Sequence, residues 1–111
     1  MTAQEFKETG QKLLKSRQYA EAISLMKSAA EAFPKDESVW SDLMLAASGN
    51  GQHEQSVEFA KQGIRQLPRS DCLWRNLGNE LTILDRLEEA EKALINSENL
   101  NSNAPWLWRY W

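Results

Sequence analysis

The chain has 111 residues, 41% of them hydrophobic, and a formal net charge of −3. That length suits one domain with a modest core, and the acidic balance offers no general attraction to nucleic acid or to anionic membranes. A single cysteine and a single histidine exclude an internal disulfide and a Cys/His zinc site, so no metal or other cofactor is expected and a reducing cytoplasm is the expected home.

Thr2 and Glu5 have the spacing of a capping box and predict that a first helix opens there. The opening residues carry acids and no apolar stretch, so no secretory leader is expected. Tyr19 begins a second segment in which Ala22, Ile23, Met26, Ala29, Ala30 and Phe33 recur at helical steps and form one apolar stripe. Pro34 stops it, lacking the amide proton that a further turn requires. Asp36 is the expected N-cap of a third helix carrying Trp40. Its run Leu43–Ala47 is the longest apolar stretch, far short of the ~20 residues of a membrane span. Gly49, Asn50 and Gly51 break that helix. His53 opens a fourth helix, where it is expected to pack, and Pro68 closes it. Ser70 caps a fifth helix carrying Trp74. Glu88, Glu89 and Glu91 open a sixth, where they favour the helix dipole and face water. Pro105 suits the first turn of a partial seventh.

A period of 34 residues runs through these elements. Trp40, Trp74 and Trp108 are each 34 apart, and Phe6 extends the column backwards. Leu43 and Leu77, Pro34 and Pro68, Ala22, Ser56 and Ala90, and Ala29, Gly63 and Ser97 repeat at the same interval. With Trp74, Leu77 and Gly78 opening a unit, Tyr19–Ile23 opening a second helix, and Ala29 and Pro34 closing one, the chain resembles the tetratricopeptide repeat family. The resemblance implies an all-α, right-handed superhelical array of antiparallel helix hairpins, with about six full helices and a partial seventh. On its register the chain is a single domain, 1–111, with repeats 3–36, 37–70 and 71–104 and a partial unit 105–111. Position eight of the unit is small in Gly10 and Gly78 but is Met44 in the middle, which is expected to widen that hairpin or to pack outward. Ser102 stands where a third proline would be.

Three repeats just reach the minimum for a continuous core, so the Trp, Leu and Ala columns are read as packing. No phosphate loop, nucleophile elbow or dinucleotide fingerprint is present, and Cys72 is read as a passive thiol; no enzymatic activity is expected. The resemblance implies a protein-binding groove lined by the first helix of each repeat. It points to Gln4, Lys7, Gln11 and Leu14, then Ser38, Ser41, Leu45 and Ser48, then Cys72, Arg75, Asn79 and Thr82, then Trp106 and Arg109. The column Lys7, Ser41, Arg75 and Arg109 is mostly basic, which favours an acidic peptide. The chaperone-tail clamp of some family members is matched only at Lys7: Gln11 departs from it, Asp42 has the wrong charge, and Cys72 and Asn76 stand where cations belong. The end of the chain places Trp106, Trp108, Tyr110 and Trp111 on an apolar edge. That edge suggests either a longer parent protein or self-association. The leading reading is a protein or peptide partner held in the groove, with no nucleic acid or membrane. The alternatives are an assembly module using its ends and the N-terminal targeting arm of a longer enzyme.

Overall fold

The computed structural model describes residues 2–101. Six α-helices follow one another: α1 (Ala3–Lys15), α2 (Tyr19–Ala32), α3 (Glu37–Gly49), α4 (His53–Gln66), α5 (Asp71–Ile83) and α6 (Leu87–Asn101). They pair as three antiparallel hairpins, α1/α2, α3/α4 and α5/α6, and each hairpin stacks on the next. The odd helices open at residues 3, 37 and 71 and the even ones at 19, 53 and 87, so the sequence period is also the structural one.

The helix ends are set locally. Thr2 and Glu5 complete a reciprocal capping box, while Asp36 accepts from the Ser38 amide at 3.0 Å and Ser70 from the Leu73 amide at 3.2 Å. Each odd helix closes with a residue in the left-handed region: Arg17 (φ 59°), Gly51 (φ 77°) and Asp85 (φ 61°). The amide two residues beyond each C-cap reaches back five positions, as Gln18 does to Leu13, Gln52 to Ala47 and Arg86 to Leu81. These bonds satisfy carbonyls that the helix ends would otherwise orphan. Only one of the three positions is glycine, so the sequence advertised only one of three identical turns.

The tryptophan and proline columns are physically coupled. Trp40 Nε1–H donates to the Pro34 carbonyl at 2.8 Å, and Trp74 Nε1–H donates to that of Pro68 at 3.1 Å. The polar edge of each indole thereby finds a partner, while the ring is buried at Trp40 and half-buried at Trp74. A Cβ on Gly63 would lie 2.9 Å from the Trp40 ring and 3.1 Å from Leu73, which is why that column stays small.

Met44 corrects an expectation. It does not pack outward; it is 3% exposed and belongs to the core. Where the hairpins have Gly10 and Gly78, a Cβ would strike Met26 Sδ at 2.7 Å and Leu94 at 2.6 Å. The residue in the same register opposite Met44 is Ala60, itself fully buried. The small and large partners have exchanged helices, conserving the volume between them.

Candidate functional site

Because α3 packs against both α1 and α5, the free faces of the three odd helices form one concave surface. Two adjoining hollows mark it. The larger, about 640 Å³, lies between α1 and α3 and is lined by Lys7, Gln11, Lys12, Lys15 and Ser38, among others. The smaller, about 250 Å³, lies between α3 and α5 and is lined by Leu45, Ser48, Asn76, Asn79 and Glu80. Ser41 and Asp42 line both and form the saddle between them.

Most of the expected groove residues meet there. Lys7, Gln11 and Ser41 line the larger hollow, and Ser41, Leu45 and Asn79 the smaller. Leu45 is 58% exposed, so the smaller hollow has an uncovered aliphatic wall. Arg75 lines neither; it is exposed and its guanidinium lies 4.0 Å from Asp71 one turn earlier. Thr82 donates its hydroxyl to the Gly78 carbonyl at 2.8 Å and so turns onto its own helix. Arg109, Trp106, Trp108, Tyr110 and Trp111 lie outside the described residues, as do Ser102 and Pro105.

The charges differ from the simple basic column. Lys7 Nζ is 3.0 Å from Asp36 Oδ2, so the carboxylate that caps α3 also neutralises this lysine. Lys12 and Lys15 are exposed and make no ion pair among the described residues, which leaves them the available cations of the α1 wall. Glu8 and Glu37 stand among them. Burial raises the Asp42 carboxyl from its ordinary range, against the pull of a hydrogen bond from Gln11 and of the Lys7 charge, while Asp36 adds to the rise. Sequence reasoning missed Glu8, Lys12, Lys15 and Glu37 as groove residues. The signal was available, because positions 4, 8, 11, 12 and 15 share one helical face with Lys7 beside them.

Cys72, Ser41 and Asn76 form a polar knot across α3 and α5. Cys72 Sγ and Ser41 Oγ lie 3.5 Å apart, and the Asn76 amide donates to both. A hydroxyl and an amide beside a thiol provide no base to activate it. Among the described residues, no group of three His, Cys, Asp or Glu side chains is placed to hold a metal ion. No described helix is long and apolar enough to cross a membrane.

His53 does more than pack. Its Nδ1 lies 2.8 Å from Glu80 Oε2 and 3.3 Å from Ser48 Oγ, tying the second hairpin to the third at the edge of the smaller hollow. The expectation of simple packing failed because its partner is 27 residues away, beyond any local pattern.

The tetratricopeptide repeat profile matches residues 13–77. A curated relative, the small glutamine-rich tetratricopeptide repeat-containing protein 2 of Mycosarcoma maydis, is 30% identical over 91 residues. These span 82% of this chain and 26% of the relative, so the chain corresponds to about a quarter of that protein's length. Among solved structures, the Yersinia enterocolitica type III secretion chaperone SycD, in complex with a peptide of the translocator YopD, superposes with a TM-score of 0.81. It is 16% identical, over 96% of this chain and 82% of that one. The second tetratricopeptide domain of Spaghetti (RPAP3), bound to the HSP90 peptide SRMEEVD, gives a TM-score of 0.78 at 19% identity, over 91% of this chain and 94% of that one. At these identities the two structures establish likeness of fold.

Proposed function

The chain belongs to the tetratricopeptide repeat family, and from that premise we propose that it is a protein–protein interaction module holding an extended segment of a partner in its concave groove. The observation that carries this reading is the pair of adjoining hollows on one face of α1, α3 and α5. A continuous channel with an aliphatic wall at Leu45 and polar groups on either side suits a chain that must be gripped by side chains and by backbone alike. Lys7, Gln11, Ser41, Leu45 and Asn79 are its contact residues, while Arg75 stands outside both hollows on the same helix as Asn79. The free ammonium groups of Lys12 and Lys15 favour acidic residues on the partner at the α1 side. Two neighbours of the same fold bind peptides, which supports the same use of this surface.

A photo-crosslinking amino acid placed at Gln11 or Leu45 tests the reading against the same group at Lys61 or Glu58 on α4. Crosslinks to one partner from the groove positions, and none from α4, are expected. Crosslinks from α4 alone would move the contact off the groove. The alternative of an assembly module has its own observation: Ile83 and Leu87, at the turn of the third hairpin, are 57% and 58% exposed. In the first hairpin the residue equivalent to Leu87 is Tyr19, whose ring packs on Gly49 of the next unit.

A further inference from the structure

The saddle of the groove holds a carboxylate oxygen that the fold leaves unsatisfied. Asp42 projects from α3 into the meeting point of the two hollows. Its Oδ2 is buried and, among the described residues, has no hydrogen-bond partner. Gln11 hydrogen-bonds the carboxylate but leaves Oδ2 without a donor, and the other donors nearby are committed elsewhere: Lys7 to Asp36 at 3.0 Å, and the Asn76 amide to Ser41 and Cys72. A buried acceptor without a donor is costly and uncommon in a folded protein. Rotation about the last bond of the side chain is soft and exchanges the two oxygens, so either can be turned toward the hollows.

Asp42 is also one of a series. Glu8, Asp42 and Asn76 are spaced by 34 residues, occupy the same register on α1, α3 and α5, and all line the groove. Each presents an acceptor oxygen. A ladder of acceptors therefore runs along the channel beside Lys7 and Ser41, which stand one position earlier in the same repeats. Resting on the groove reading above, we propose that the saddle is a specificity subsite for a basic residue of the partner, a lysine or arginine whose charged head donates to Asp42, with acidic residues flanking it toward Lys12 and Lys15. A guanidinium or ammonium supplies both the missing donor and the compensating charge. The bound segment is then of mixed charge, and an all-acidic segment is disfavoured because it would set a carboxylate against Asp42.

Panning a phage-displayed library of random peptides against the intact chain tests this, in parallel with Asp42→Asn and with Lys12→Glu/Lys15→Glu, each matched for helix content by circular dichroism. The wild-type chain should select peptides enriched in Lys or Arg at one position, with Asp or Glu nearby. Asp42→Asn should lose the basic enrichment and retain the acidic one, and the double lysine variant should do the reverse. A selected peptide in which citrulline or norleucine replaces the basic residue should bind the wild-type chain about tenfold or more weaker. Peptides without basic enrichment, or an enrichment that survives in Asp42→Asn, would overturn the subsite while leaving the groove reading intact. No selection by any form would overturn both.

Discussion

The two junctions between hairpins share one backbone geometry and differ in chemistry. Where Tyr19, Ala46 and Gly49 join the first and second hairpins the contact is apolar: the Tyr19 ring packs on Gly49 and Ala46 is fully buried. At the second junction the same three positions of the junction carry His53, Ile83 and Glu80, and the contact becomes a hydrogen bond of 2.8 Å. Arg86 adds a bridge of 3.3 Å to Glu54 across the same seam. An aromatic ring on glycine and a polar pair across a gap are thus interchangeable solutions, provided that both members change together. An unpartnered Glu80, 8% exposed, would be costly where Ala46 is not.

The largest way to probe the contrast is to delete the tryptophans. Trp40 is 6% exposed and lies on Gly63, so Trp40→Ala should cost roughly 3–5 kcal/mol in urea unfolding. Trp74 is only half-buried, so Trp74→Ala should cost clearly less; equal losses would mean that the two junctions are equally tight. Next comes the polar pair. Glu80→Ala and His53→Ala should each cost about 1–2 kcal/mol, and the double variant less than their sum. Grafting the first junction onto the second, as His53→Tyr/Glu80→Ala/Ile83→Gly, should recover most of the loss. A graft no better than Glu80→Ala alone would show that the junctions are not interchangeable.

A smaller effect is expected at Asp42. Its carboxyl is raised above the ordinary 3.8 by burial, so the folded chain holds this proton to higher pH than the unfolded chain does. Its contribution to stability is therefore most favourable below pH 3.8 and falls as pH rises through the raised value. Asp42→Asn should accordingly stabilise the chain at neutral pH, by up to about 1 kcal/mol, and the gain should vanish in acid. A loss at neutral pH would instead mark the carboxylate as a structural group. The smallest effect belongs to the turns. Arg17→Gly should gain a few tenths to about 1 kcal/mol, and Gly51→Ala should lose about as much, because both sit in the left-handed region. Thermal midpoints moving in the same direction would contradict that account.

The groove was legible in the residues that the repeat register assigns to it, and its electrostatics were not. Lys7 looked free in the sequence, yet its partner Asp36 is 29 residues away and was recognised only as a cap. Arg75 looked equivalent to Lys7, but it stands outside both hollows. Lys12 and Lys15 were overlooked because the family register directs attention to fixed positions and not to the whole helical face.

What the sequence by itself determined was the unit and its ends. The caps at Thr2, Asp36 and Ser70 and the stops at Pro34 and Pro68 depend on neighbours within a turn or two, short-range chemistry is written in short-range order, and the 34-residue period is the recurrence of that local pattern. What only the tertiary structure decided was which charges remain available and which volumes match. The Lys7–Asp36 pair, the His53–Glu80 bridge and the exchange of Gly10 and Met26 for Met44 and Ala60 all join residues from different hairpins or helices, and the orphaned Asp42 oxygen is buried by the same assembly. Coulomb energy and packing depend on distance in space, and the folded array brings together groups that the chain holds far apart.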